Sequence, residues 1–248
     1  MAKVIVITGG SRGIGAATAL LAARQGFNVC INYLSDDDAA RRVLAEVRSC
    51  GVQAIAVRAD ASNEDEVIHL FNRVDNELGA VTALVNNAAT IAEQSAMEEM
   101  SEFRLLKMMK TNVVGPMLCA KQAILRMSTR HGGSGGSIVN VSSVAARLGS
   151  PNEYVDYASS KGALDTFTIG LSKELASQGV RVNSVRPGYI HTEFHALSGD
   201  ANRVTKQESA LPIGRGGRPE EVAEAIVWLS SELASYVTGT FVDLGGGR

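Results

Sequence analysis

The sequence predicts an α/β fold: a doubly wound parallel sheet of about seven strands with helices on both faces. Three observations lead there. Strand-like and helix-like segments alternate along all 248 residues. A glycine-rich turn, Thr8-Gly9-Gly10-Ser11-Arg12-Gly13-Ile14-Gly15, follows the first strand-like run directly. A chain that is 45% apolar and 20% charged can bury one large core, so residues 1–248 are expected to form a single domain.

Each element has its own local signal. Residues 4–7 are a continuous apolar run, as suits a parallel strand covered on both faces. A helix is expected over 14–25, stopped by Gly26, and a second strand over 28–33. A helix over 39–50 ends at Gly51, and 53–58 reads as the third strand. Ser62 and Asp65 have the spacing of a capping box, opening a helix that ends near Gly79. The fourth strand is placed at 83–86, followed by a long helical stretch over 102–130. The fifth strand, 137–142, is followed by a helix over about 154–178 that ends at Gly179. A strand over 182–186, a helix over 220–232 and a strand over 240–244 complete the series. Right-handed crossovers then put ligands at the carboxyl ends of the strands.

Composition removes several classes of function. A net charge of -2 offers neither a nucleic-acid footprint nor a polybasic membrane patch. Met1 leads at once into Lys3-Val4-Ile5-Val6-Ile7, which leaves no room for a signal peptide, and every apolar run is shorter than a membrane span. Cys30, Cys50 and Cys119 are odd in number, dispersed and without metal-ligand spacing. They are read as reduced thiols of a cytoplasmic protein, and no metal is expected. The patch Gly132-Gly133-Ser134-Gly135-Gly136 fits a surface turn between helix and strand.

Gly9, Gly13 and Gly15 are spaced G-x-x-x-G-x-G. Glycine removes the side chains that would hold a pyrophosphate away from the backbone, and the following helix points free N–H groups and its positive end at such an anion. An isolated match of this kind would be an ordinary strand-to-helix turn; its place after the first strand of an α/β chain favours the phosphate cradle. Tyr157 and Lys161 lie four apart on one helix and share a face. Tyrosine, at its usual pKa of about 10, is a poor acid/base group near neutrality, and a neighbouring ammonium is expected to lower that value. A hydroxyl such as Ser143 can hold a substrate's carbonyl oxygen. Tyr-x-x-x-Lys by itself usually marks two ordinary helix residues; the glycine loop and Ser143 reverse that weighting.

With these residues the chain resembles the short-chain dehydrogenase/reductase family over essentially its whole length. Asn86-Asn87-Ala88 is similar to the family's Asn-Asn-Ala-Gly segment beside the cofactor, with Ala89 where glycine is usual. Asp60 matches the aspartate near the adenine ring, and Pro187-Gly188 with Ile190 and Thr192 matches the segment at the nicotinamide carboxamide. The resemblance implies a Rossmann fold and a catalytic tetrad of Asn112, Ser143, Tyr157 and Lys161. It further implies cofactor contacts at Gly9, Ser11, Arg12, Gly13, Ile14, Gly15, Asn32, Tyr33, Asp60, Ala61, Asn86, Ala88, Pro187, Gly188, Ile190 and Thr192, besides Tyr157 and Lys161. Ser143 precedes Tyr157 by fourteen residues, one more than the usual spacing; the extra residue is placed in the loop from Gly149 to Glu153. Ser142 is the alternative hydroxyl, on the other side of the strand. Pro116 lacks the N–H that would bond the carbonyl of Asn112, leaving that carbonyl free for a water.

The expected activity is hydride transfer between a nicotinamide and a carbonyl/alcohol pair. Candidate substrates are 3-oxoacyl thioesters, sugars or polyols, and bulky ketones. The alternative from another class is an NADP-binding sensor or scaffold without chemistry; a sugar-nucleotide epimerase would want a longer C-terminal portion. NADP is expected over NAD, because Asn32 and Tyr33 end the second strand where NAD-binding relatives carry an aspartate, and Arg12 can pair with a 2′-phosphate. Asp36, Asp37 and Asp38 weigh against this, helix capping accounting for at least one. A homotetramer is implied by the resemblance, with Leu118, Ile124, Leu164, Phe167 and Leu171 facing either a partner or their own sheet. Residues 188–217 form a substrate-loop region, and residues 193–215 are read as a lid or, alternatively, a fixed loop. His191 and His195 either touch a polar substrate there or stand exposed.

Overall fold

The structure, a computed structural model, describes residues 3–248 apart from the side chain of His195. Seven parallel strands form one sheet in the order β3-β2-β1-β4-β5-β6-β7. In chain order they are β1 (Lys3–Ile7), β2 (Phe27–Tyr33), β3 (Ala54–Arg58), β4 (Ala83–Asn86), β5 (Gly136–Val141), β6 (Val180–Pro187) and β7 (Phe241–Leu244). The helices between them are α1 (Gly13–Arg24), α2 (Asp37–Ser49), α3 (Glu64–Glu77), α4 (Glu102–Met109), α5 (Gly115–Met127), α6 (Ala145–Leu148), α7 (Val155–Leu175), α8 (Arg203–Gln207) and α9 (Pro219–Ser230).

The period of two along each strand divides the core into layers. Val4 and Val6 pack with Phe71 and Val74 of α3, Ala120 of α5 and Leu171 of α7. Ile5 and Ile7 pack on the other face with Ala19 and Ala22 of α1, Val47 of α2 and Ile226 of α9. This is why β1 is apolar at every interior position. Winding leaves β1 towards β2 and, after β3, crosses to β4 on the other side of β1. The carboxyl ends of β1 and β4 therefore flank a crevice, where ligands bind in sheets of this kind.

Several local expectations are corrected. The N-cap of α3 is Asn63, whose Oδ1 accepts from Asp65 N at 3.1 Å and Glu66 N at 3.3 Å. Ser62 is occupied instead by Asp60, whose Oδ1 accepts from its N at 2.8 Å and its Oγ at 2.7 Å. The long helix expected over 102–130 is two helices joined by a π turn, Lys110–Val114, in which Gly115 N–H donates to Lys110 O. Pro116 follows directly, so the missing donor coincides with the widened turn. α6 and α8 lie in stretches that carry no helical periodicity long enough to announce them. Leu164 and Leu171 are buried, and Leu118, Ile124 and Phe167 pack against the same core, so these five face their own sheet. The apolar side chains on the outside are others, including Phe103, Leu106 and Met109 on α4 and Trp228, Leu233 and Tyr236 at the opposite end of the chain.

Candidate active site

A cavity of about 590 Å³ opens along the carboxyl ends of the strands. Its wall includes Gly9, Ser11, Arg12, Gly13 and Ile14 of the glycine loop, Asn32 and Tyr33 at the end of β2, and Asp60 and Ala61 after β3. Ala88, Ser143, Tyr157, Lys161, Pro187, Gly188, Ile190 and Thr192 line the same cavity. Three of the residues singled out by sequence lie behind this wall. Gly15 packs inside the loop, where a Cβ would stand 2.7 Å from Asn87 Nδ2 and 3.0 Å from Gly10 Cα. Asn86 is buried and ties β4 to its neighbours, donating to Asn140 Oδ1 at 2.9 Å and to Pro116 O at 3.2 Å. Asn87, one residue on, is the asparagine at the cavity, and it pins the glycine loop by donating to Thr8 O at 2.9 Å and Gly9 O at 3.0 Å. Asn112 is also fully buried: its Oδ1 accepts from Thr90 N at 2.8 Å, and its Nδ2 donates to Thr90 O and Ser160 Oγ.

The glycine loop fits a dinucleotide pyrophosphate. Gly9 and Gly13 have φ of +63° and +52°, and a Cβ on Gly9 would stand 3.0 Å from Ala88 Cα. Arg12 caps α1 in extended conformation with no side-chain hydrogen bond to the first turn, and no acidic residue occupies that turn. The free N–H groups of α1 are left for an anion. Thr192 closes against Gly13, bringing the segment after β6 over the loop.

The three carboxylates after β2 each have a partner. Asp36 Oδ1 caps α2 by accepting from Ala39 N at 2.9 Å. Asp37 accepts from the Tyr33 hydroxyl and holds that phenol above its usual value, and Asp38 pairs with Arg41 at 3.0 Å. The side chain of Arg12 is exposed and has no ion pair or hydrogen-bond partner among the described residues.

At the far end of the cavity, the end of β5 and the first turns of α7 bring three polar groups together. Ser143 is hydrogen-bonded to the Tyr157 hydroxyl, and Ser143 Oγ also accepts from Ala145 N at 3.1 Å. Ser142 faces the other way, its Oγ donating to Lys161 O at 3.3 Å. Lys161 Nζ donates to Val141 O at 2.8 Å and lies 5.6 Å from the centre of the Tyr157 ring. In the loop expected to hold the extra residue between Ser143 and Tyr157, Gly149, Ser150 and Asn152 all have positive φ.

The expected lowering of the Tyr157 pKa by Lys161 is not met. Burial pushes the phenol up to about 12, and the hydrogen bond from Ser143 only partly opposes this. Burial also pulls Lys161 down from 10.5 to about 8, against the Asp165 carboxylate, which favours its charge. Asp165 is held one turn further on by Arg186 at 2.8 Å. The site thus keeps the Tyr157 phenol neutral at neutral pH.

Sequence reasoning passed over Tyr154, Tyr189 and Arg203, all of which line the cavity. Tyr154 was within reach of it, since it lies three residues before Tyr157 on the same helix face; Arg203 arrives from α8 and has no local signal. His191 is not in the cavity wall: it is exposed and bonded to Glu208 at 2.9 Å. The side chain of His195 lies outside those described. No metal-binding group of His, Cys, Asp or Glu occurs among the described residues.

A family model described as "Enoyl-(Acyl carrier protein) reductase" matches residues 9–248. The chain is 52% identical to the uncharacterized oxidoreductase YgfF of Escherichia coli, over 99% of each chain. It is 32% identical to the 3-oxoacyl-[acyl-carrier-protein] reductase FabG of Staphylococcus epidermidis, over 100% of this chain and 99% of that one. A crystal structure of a short-chain type dehydrogenase/reductase from Mycobacterium marinum superposes with a TM-score of 0.92 at 34% identity, covering 99% of this chain and 94% of that one. The acetoin dehydrogenase YohF from Salmonella typhimurium superposes with a TM-score of 0.87 at 33% identity, covering 100% and 97%.

Proposed function

The chain belongs to the short-chain dehydrogenase/reductase family, and on that premise we propose that it is an NADP-dependent reductase of a carbonyl compound. The observation that carries this reading is the convergence of Ser143, Tyr157 and Lys161 on one cavity whose other end is the glycine loop. When bound, the cofactor supplies a hydride to the carbonyl carbon and is itself oxidised. Ser143 holds the carbonyl oxygen by hydrogen bonding. As the C=O π bond opens, that oxygen takes the proton of the neutral Tyr157 hydroxyl and the product is an alcohol. Lys161, buried beside the tyrosine, stabilises the resulting phenolate until a proton returns from solvent. Asn112 acts from behind the wall, fixing Thr90 and the α7 residue Ser160, while its backbone carbonyl has no N–H from Pro116 to accept.

NADP is favoured over NAD by the free guanidinium of Arg12 at the adenosine end and by Asp36, Asp37 and Asp38 being engaged elsewhere. We assign one catalytic unit to the whole chain and a cytoplasmic location, for which the three free cysteines speak. A homotetramer is supported by two separate exposed apolar faces, one on α4 and one around Trp228 and Leu233. Among the relatives, FabG is named for 3-oxoacyl reduction and YohF for acetoin, so the test is a screen of NADPH oxidation over aldehydes, ketones and 3-oxoacyl thioesters. Consumption with at least one class is expected. Tight NADPH binding with no consumption by any carbonyl would overturn the enzyme reading in favour of a sensor.

A further inference from the structure

We propose that Tyr154 is a second substrate-binding hydroxyl, and that the substrate carries a neutral oxygen, carbonyl or hydroxyl, close to the carbonyl being reduced. The inference rests on the reductase reading above and names its substrate class. Tyr154 is the N-cap residue of α7, three residues before Tyr157, and both residues line the cavity. Tyr154 lines the cavity and is 3% exposed, yet its hydroxyl has no hydrogen-bond partner. Buried tyrosine hydroxyls ordinarily find partners, because an unmade bond costs the full desolvation of the group. An orphaned donor in the wall of a substrate cavity is completed by an oxygen of the substrate.

The surroundings define which oxygen. The guanidinium of Arg203 lies 4.8 Å from the centre of the Tyr154 ring. Its charge is met by Glu153, at 2.5 Å, so this corner supplies a donor without an unbalanced positive charge. A neutral carbonyl or hydroxyl suits it better than a carboxylate. Tyr154 and Tyr157 are separated by one helical turn, roughly 5–6 Å between Cβ atoms, which matches oxygens on adjacent or next-but-one carbons of a small molecule. Phe194, with its ring centre 6.1 Å from that of Tyr157, and Leu148 supply apolar walls for the remaining carbons. The loop that sets Tyr154 in place holds Ser150 at φ 45° and Asn152 at φ 60°, a left-handed backbone that non-glycine residues adopt at functional sites.

The experiment compares wild type with Tyr154→Phe on butane-2,3-dione and on butan-2-one, the same skeleton lacking one oxygen. Comparing the two proteins on each substrate cancels the intrinsic reactivity of the dione. Tyr154→Phe should lower kcat/KM for the dione about tenfold and leave butan-2-one within about twofold. Equal losses on both substrates, or none on the dione, would overturn the assignment. A wild-type preference for the anionic 2-oxobutanoate over the dione would overturn the choice of a neutral oxygen. The cofactor-free variant should melt at or above the wild-type temperature, since it deletes an unpaired hydroxyl; a marked fall would show that the hydroxyl has a structural partner. If wild type binds NADPH but reduces neither ketone nor any carbonyl of the panel above, the reductase reading fails separately. The dione's thermal shift of the NADPH complex then judges Tyr154: a larger shift in wild type than in Tyr154→Phe supports the subsite, and equal shifts reject it.

Discussion

Replacing Lys161 by methionine should make the cofactor-free protein more stable at pH 7 while abolishing turnover. Lys161 is 2% exposed, and burial lowers its pKa from 10.5 to about 8 even with Asp165 opposing. At about 1.4 kcal/mol per pKa unit, holding the ammonium inside the fold at neutral pH costs about 3 kcal/mol. Methionine keeps an unbranched stem and removes the charge. It gives up one hydrogen bond to the Val141 carbonyl, worth about 1 kcal/mol. Asp165 keeps its pairing with Arg186, so no carboxylate is stranded. The net expectation is about 2 kcal/mol of stabilisation, or about 4 °C in Tm for a chain of this length. The sign of the pH dependence follows from the same shift. Between about pH 8 and 10.5 the unfolded chain binds more protons at this lysine than the folded one, so wild-type stability rises with pH through that window. Methionine binds no proton, and the gap between the two proteins should close by the top of it. Urea unfolding followed by the single tryptophan, Trp228, at pH 7 and at about pH 10 measures both quantities. A variant less stable than wild type at pH 7, or a stability gap that does not change with pH, would refute the reasoning.

Tyr157→Phe should lower kcat by about 10²- to 10⁴-fold, the usual contribution of a positioned proton donor, and leave cofactor affinity nearly unchanged; a rate above a small fraction of wild type would reject Tyr157 as the donor. Arg12→Ala should raise KM for NADPH while leaving that for NADH little altered, and steady-state kinetics with both cofactors will show an equal response if Arg12 does not meet a 2′-phosphate. Residues 193–215 should gain hydrogen-exchange protection on binding NADPH, as a closing lid would; strong protection already present without cofactor identifies a fixed loop. Sedimentation should give a tetramer, and a stable monomer at micromolar concentration would show that the apolar faces on α4 and around Trp228 serve another purpose.

Much of the site was legible because its signals are short-range. The run of β1, the glycine loop and the start of α1 occupy thirteen consecutive residues, Lys3 to Gly15, and the conformations required at Gly9 and Gly13 are open to glycine at no steric cost. Tyr157 and Lys161 share a face by helix period alone. Where two neighbouring residues carried the same chemistry, locality was not enough. Asn86 and Asn87 are both asparagines at a strand end, but only packing against Asn140 and Pro116 shows which of them turns inward. Ser62 has the spacing of a cap, yet Asp60 takes its hydroxyl and Asn63 caps the helix. The π turn at Lys110–Val114 was legible only as a missing donor at Pro116, with no indication of how the ladder would rearrange.

By itself, then, the order of residues determined the alternation of elements, the glycine turn after β1 and the shared helix face of Tyr157 and Lys161, since each depends on periodicity or backbone sterics within a few positions. Only the tertiary structure decided which side chains face the cavity and in what charge state. The raised pKa of Tyr157 and the lowered pKa of Lys161 come from the protein closing around them, and desolvation has no signature in a string of residues. The same holds for the unpaired hydroxyl of Tyr154 beneath Arg203, a residue forty-nine positions away in the chain that meets it only because α8 folds back over the start of α7.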